Sequence, residues 1–363
     1  MRRWALACGL APAVSSGWNT ANVGSVALGL SHAYGVSLLV IGLFTTALFA
    51  THALLQVPAG HLCDRFGAKW VGAGGLAIIA FASAGALCWR QAGFAIAMRA
   101  VSGVGTGLSF VAGSDYVRRT AGSPVAQGVY GAASMAGGGL ALALIPQWGS
   151  WQAPFATAGI VAGVGALLLA AAPREGERVP LAIARRVTDR RLLPLAAMHS
   201  ASFGLSVVIG NWVVTLLERA GGEPKGIAGV AGGLTLFLGI VTRPLGGRIG
   251  HVWLLRASFV AGGLGTALLA VASPLGLAIA ASALVGLAAG LPFAPSFARA
   301  ARLRPDAPAA AVGFVNMTAA VTILVATPLL GQSFSLPGNG RIGFAVVAAL
   351  WAVAAFAVPR MSA

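Results

Sequence analysis

No Asp, Glu, Lys or Arg occurs between Arg3 and Asp64. A soluble domain carries roughly 25% charged residues, whereas this chain of 363 residues carries 9% and is 58% hydrophobic. A membrane-spanning helix needs about 20 apolar residues, so the stretch from Trp4 to Cys63 is long enough for two spans joined by a short turn. The same arithmetic repeats along the chain and predicts an all-α, polytopic membrane protein.

Twelve apolar segments are separated by Gly, Pro or charged turns, at about 4–29, 38–59, 70–90, 93–115, 123–146, 153–172, 192–217, 226–247, 254–272, 275–297, 309–331 and 341–359. The longest polar interval, Pro173 to Pro194, separates the sixth segment from the seventh. We therefore expect two six-helix halves, 1–172 and 192–363, joined by a linker at 173–191 that carries a short surface helix. A shift of 187 residues moves Gly60 onto Gly247, Gly103 onto Gly290 and the start of the first segment onto that of the seventh. Parallel six-helix repeats build one major class of secondary transporters.

Alternate connections and the two termini hold nineteen Lys and Arg residues, among them Arg2, Arg3, Arg65, Lys69, Arg118 and Arg119, while the other connections hold only Arg90, Arg219, Lys225 and Arg341. By the positive-inside rule both termini are cytoplasmic. The sorting also accounts for the formal charge of +16 without a nucleic-acid partner. Cys8, Cys63 and Cys88 are an odd number without paired spacing, which supports neither a disulfide framework nor a metal site. The basic start MRRWALAC has too few apolar residues before Cys8 for a signal-peptide core, so it reads as a retained first helix.

Charge returns in GHLCDRFGAKW, Gly60 to Trp70. We expect a turn between helices 2 and 3, with glycines at 60 and 67 for the reversal and close approach, and Asp64 capping helix 3 or pairing with an Arg. Its spacing, Gly-x-x-x-Asp-Arg-x-Gly-x-Lys, resembles the signature loop of the major facilitator superfamily. The resemblance implies twelve helices in two pseudo-symmetric bundles, alternating access, and a latch at Gly60, Asp64, Arg65, Gly67 and Lys69 that holds the halves together and releases during turnover. Helix 4, MRAVSGVGTG, resembles the second signature at Arg99, Gly103 and Gly105. An Arg about 9 Å into a helix is a functional candidate by default, or else snorkels to the interface. The resemblance further suggests that Asp115 joins the charge network of Asp64 and Arg65.

Acids are nearly absent from the apolar interior: Asp115 sits at a helix end, and Glu218 and Glu223 in or beside a loop. The remaining polar candidates are weakly basic or neutral. Arg243 and His199 suit oxyanions and proton exchange, and Asn19, Asn22, Gln56, Asn211 and Asn316 supply amides, with His52 and Thr318 nearby. Arg99 and His199 are the coupling candidates. Arg243 to Gly247 resembles the Arg-x-x-Gly-Gly of nitrate/nitrite porters, but Gln56 stands where their second Arg falls and Leu140 where their Asn follows the glycine run. Helix 5 lacks the Gly-Pro pair of the drug-proton antiporters.

These features predict a monomeric secondary transporter in a bacterial inner membrane. It moves a small organic or inorganic anion, with proton coupling through His199 and no cofactor. A polyspecific exporter of drugs or amphiphiles is the alternative, and a non-transporting membrane sensor the remote one. An intramembrane enzyme is disfavoured, because no two His share a helix at ligand spacing.

Overall fold

The computed structural model describes residues 2–121, 124–175, 189–246, 251–271, 274–305 and 308–358. Most of the central linker and Gly247, the repeat partner of Gly60, lie outside the described residues.

Among the described residues each of the twelve apolar segments is helical, several of them as broken pairs. The first span joins α1 (Arg2–Ala21) to α2 (Ala27–Tyr34), and the second joins α3 (Leu38–Leu54) to α4 (Gln56–Phe66). Spans three to six are α5 (Ala68–Cys88), α6 (Ala92–Ala121), α7 (Pro124–Leu144) and α8 (Ala153–Ala171). The seventh runs through α9 (Leu193–His199), a π-helical stretch at Ser200–Leu205, and α10 (Ser206–Arg219). Then follow α11 (Lys225–Phe237) with α12 (Gly239–Gly246), α13 (Val252–Val271), α14 (Leu275–Gly290) with α15 (Phe293–Leu303), α16 (Pro308–Ser333) and α17 (Arg341–Ala357). Among the described residues nine spans are long and apolar enough to cross a bilayer alone, and the α3/α4 pair makes a tenth. The shorter α17 and the more polar α1 complete the twelve.

The charged stretch at 60–70 differs from its expected form. It is helical to Phe66, and the reversal is made by Gly67 alone, at φ +90°, a conformation that a Cβ would strain. Gly60 lies inside α4 with open space beside it rather than at a close approach. Asp64 does not cap α5, whose N-cap is Gly67 without any side-chain bond. The α3/α4 break bends the span by 56°. Pro58 explains it, because it donates no N–H to the preceding turn.

α1 ends because Asn22 intervenes. Its Oδ1 takes the Val23 N–H at 2.9 Å, and its Nδ2 donates to Pro154 O at 2.8 Å. Trp18 Nε1 adds a bond to Thr157 Oγ1 at 3.0 Å, so the end of α1 is pinned to α8.

Packing repeats between the halves. α5 packs on α6 and α8 as α13 packs on α14 and α17, and α3 packs on α6 as α11 and α12 pack on α14. Gly103 abuts Thr51, and Gly290 abuts Thr242, each on the neighbouring span. Across the halves, α3 meets α16 and α7 meets α11. This is the geometric content of two pseudo-symmetric six-helix bundles.

Exposed tryptophans mark the two ends. Trp4, Trp70 and Trp253 lie at the end carrying Asp64 and Arg119, here called the basic end, and Trp89 and Trp148 at the opposite end. Trp70 and Trp89 bracket α5 about 28 Å apart at 1.5 Å per residue, close to the ~30 Å of a hydrocarbon core. Aromatic belts of this kind occupy membrane interfaces.

The halves approach most closely toward the opposite end. A Cβ on Gly42 would lie 2.6 Å from Pro328 Cα, one on Gly229 2.6 Å from Leu142 O, and one on Gly331 2.6 Å from Leu38 O. Gly24 abuts the backbone of Asn211. Asn211 itself accepts from Thr45 Oγ1 at 2.9 Å and donates to Thr20 O at 3.2 Å, tying three spans from both halves. Gly138 and Gly139 continue the contact toward the middle, where a Cβ would lie 2.9 Å from Leu236 Cδ1 and 2.7 Å from Phe237 Cβ.

Candidate functional site

Midway between the ends, polar side chains from four spans form one chain of bonds. Thr106 Oγ1 donates to Gly103 O at 3.0 Å, which leaves it an acceptor for His52 Nδ1, also at 3.0 Å. His52 Nε2 is then the acceptor for Gln56 Nε2 at 2.9 Å. Gln56 Oε1 accepts from Asn316 Nδ2 at 3.4 Å, and Asn316 Oδ1 accepts from His199 Nε2 at 3.3 Å. The chain has a single polarity and crosses from the first half to the second between Gln56 and Asn316. It leaves His199 Nδ1 buried with no hydrogen-bond partner.

His199 sits among rings. Phe203 stacks on it at 5.5 Å with 19° between the planes, and Phe297 and Phe293 lie at 4.7 and 5.5 Å. Phe203 belongs to the π-helical stretch, whose wider turn sets it beside His199; π-bulges often mark functional sites. Phe293 and Phe297 are one turn apart on α15 and share its face.

Arg243 completes the cluster. Its guanidinium lies over Phe293 at 4.0 Å and Phe203 at 5.5 Å, and Nη1 donates to Gly131 O on α7 at 2.8 Å. The residue is 3% exposed, its Nε has no hydrogen-bond partner, and no carboxylate pairs with it among the described residues. Beside Phe203 a cavity of about 10 Å³, room for roughly one water, touches Thr20, Ser134, Gly138 and Val207.

Five of the sequence candidates, Arg243, His199, His52, Gln56 and Asn316, therefore meet here. The others do not. Asn22 closes the end of α1, and Asn19 accepts from Arg99: Nη2 donates to Asn19 O at 2.6 Å and Nη1 to Oδ1 at 3.2 Å. That carbonyl is free because Asn22 has taken the Val23 N–H. Arg99, at 2% exposure, is thus buried against α1 and does not snorkel. Asn211 lies in the closed contact at the opposite end. The three phenylalanines and Thr106 were not singled out by the sequence reading. The spacing of four from His199 to Phe203 and from Phe293 to Phe297 is the signal that could have found the rings.

The charged network at the basic end is separate. Arg119 Nη2 pairs with Asp64 Oδ1 at 3.1 Å and Nε with Asp115 Oδ2 at 2.7 Å, while Arg118 also pairs with Asp115. Lys69 Nζ donates to Ala172 O at 2.6 Å and its N–H to Glu175 Oε1 at 3.3 Å. These bonds join α4, α5, α6 and the end of α8, all in the first half. At the start of the seventh span the Arg191 guanidinium and amide hold the Asp189 carboxyl below the usual carboxylate range.

A family model described as Major Facilitator Superfamily matches residues 12–326. The chain belongs to this superfamily. As a member of the major facilitator superfamily it is a multi-pass membrane transporter that moves a small molecule, and it is not an enzyme. Its fold is similar to a crystal structure of a mutant of the nucleoside transporter NupG, with a TM-score of 0.75 over 97% of this chain and 98% of that one, at 16% identity. At that identity the likeness speaks for the shared major facilitator fold alone. No curated protein sequence matches the chain.

Proposed function

We propose that the protein moves a small anion by alternating access, and that Arg243 holds it. The observation carrying this reading is a buried guanidinium whose Nε is unpartnered and which has no carboxylate partner among the described residues. Such a charge costs about 2.5–3.5 kcal/mol at the middle of a membrane helix on insertion scales, and an anionic solute offsets that cost. Gln56, Asn316 and His199 supply the remaining polar wall, while Asn19, Asn22 and Asn211 brace the spans around it. Proton coupling is assigned to His199 Nδ1: a proton there adds a second positive charge beside Arg243, the charged group that faces it, and His52 lies at the far end of the same bond chain. Arg99 serves the coupling by holding α1 to α6.

The nineteen-to-four distribution of Lys and Arg supports a cytoplasmic basic end with both termini there, and the compact loops with abundant Ala, Gly and Arg fit a bacterial inner membrane. Each chain holds both halves, so a monomer is sufficient. In this reading the structure is closed toward the outside.

Counterflow into vesicles containing the purified protein tests the proposal, using labelled acetate, lactate and phosphate against glucose and a cationic dye, with and without a pH gradient. Flux of one anion class, accelerated by an inward proton gradient in wild type but not in His199→Gln, supports it. Flux of the dye or the neutral sugar without any anion overturns it in favour of the amphiphile exporter.

The ion pairs described for Asp64 and Asp115 run within the first half rather than between the halves, so we propose that Gly60, Asp64, Arg65, Gly67, Lys69 and Asp115 act as a latch in the form of one charged plate whose position depends on Arg119. Asp64→Asn weakens one of two charge-assisted bonds to Arg119, each worth about 1.5–3 kcal/mol. We expect turnover to fall by about tenfold while solute affinity is unchanged, since 1.4 kcal/mol is tenfold. Equal losses in turnover and affinity would argue against a latch.

A further inference from the structure

We infer that the solute of this site is a planar aromatic carboxylate. The inference rests on the anion reading above and adds the shape of what the anion carries. A bare inorganic anion needs only the hydrogen-bonding edge of a guanidinium. Here that guanidinium is flanked by two flat faces, Phe293 at 4.0 Å and Phe203 at 5.5 Å, and Phe297 extends the aromatic wall 4.7 Å from both Phe293 and His199.

The facing wall on α7 carries no side chain at the matching level. A Cβ on Gly131 would lie 3.3 Å from Phe293 Cε1 and 3.6 Å from Arg243 Nη1, and one on Gly128 3.9 Å from Pro244 Cα. Glycine there lets the α7 backbone close directly on the aromatic face, so that when the two halves part no side chain from α7 occupies the space beside the ring. Aromatic faces favour offset or edge-on contact with a second ring, beyond what buried area alone supplies. They give a saturated ring of the same size no such preference.

The polar atoms set the charge and its place. Arg243 Nε is a buried donor without a partner, and buried polar groups are normally satisfied. A carboxylate at the ring's edge meets Nε, the planar match that a guanidinium makes and an ammonium does not, while its ring stacks on one phenyl face and meets the others, which are tilted by about 50° to each other, edge-on. Asp115, Glu218 and Glu223 lie toward span ends, and among the described residues no carboxylate contacts this cluster to select a cation.

The test is binding to the purified full-length chain by isothermal titration with three probes: benzoate, cyclohexanecarboxylate of like charge and similar size, and uncharged benzamide. We expect benzoate to bind about tenfold more tightly than cyclohexanecarboxylate, the scale set by one or two aromatic contacts, and benzamide not to bind measurably. Phe293→Leu should bring the two carboxylates to equal affinity, and Phe297→Leu provides a second variant should the first fold poorly. Equal binding of both carboxylates to wild type, lost in Arg243→Gln, overturns the aromatic assignment and leaves the anion reading standing. Benzamide binding as well as benzoate, indifferent to Arg243→Gln, overturns both. Silence from all three probes also overturns the inference.

Discussion

Replacing Gly42 and Gly229 together with leucine will arrest transport by holding the opposite end apart. These residues are 187 positions apart and serve the two matching contacts, Gly42 against Pro328 and Gly229 against Leu142 O, each with 2.6 Å available to a Cβ. Overpacking costs about 1–3 kcal/mol per site, and the cost falls only on the arrangement closed at that end. Two sites together approach the ~5.5 kcal/mol that turns a 99:1 population into 1:99. We expect uptake to fall by about 100-fold or more, with the thermal midpoint little changed, because each bundle keeps its own packing. Leu38→Cys reports the state: it is buried in the contact and should react faster with an impermeant maleimide in the double variant. Uptake within twofold of wild type, with that cysteine still shielded, would remove this contact as a gate.

Arg243→Met should separate transport from stability. Methionine keeps an unbranched apolar stem against Phe293 and removes the charge. Leaving a bound carboxylate without its cation costs about 3–5 kcal/mol, so uptake should fall by a factor on the order of 10²–10³ at 1.4 kcal/mol per decade. Without solute the balance reverses. The wild-type guanidinium has one bond to Gly131 and two ring contacts, worth about 2 kcal/mol when desolvated, against the cost of an unpaired buried charge. The variant should therefore melt at the same temperature as wild type or higher. A lower melting point together with lost uptake would instead make Arg243 a strut between α7 and α12.

The sequence revealed spans better than partners, for a physical reason. Runs without charge register hydration directly, so Trp4 to Cys63 announced two helices, and the 187-residue repeat reappears where Gly103 and Gly290 each abut a threonine. Asn19 and Asn22 share a face by spacing, yet the chain breaks at Ala21 and the two amides serve different neighbours. An amide's residue type states that it needs partners; only tertiary contact decides whether a bundle or a solute supplies them. The rings around Arg243 were hidden for another reason. Phenylalanine is unremarkable in an apolar helix, and the spacing of four that sets Phe203 beside His199 and Phe297 beside Phe293 stands out only once the three spans are known to meet. The helical form of residues 60–66 was missed because glycine and charge resemble a loop when the fit against α6 is unseen.

The one-way bond chain through the middle has a consequence for the cargo. When the halves part and the Gln56 to Asn316 link opens, the two walls are left unlike. The first-half wall presents the Gln56 carbonyl oxygen, an acceptor, and the second-half wall presents the Asn316 amide hydrogens together with Arg243, all donors. A molecule between them meets a handed, head-to-tail berth: its electron-rich head can face only the second half, and any hydrogen-donating tail only the first. Cargo that is symmetric end to end forfeits one of these two grips, so the berth reads which way round a molecule lies as well as its charge.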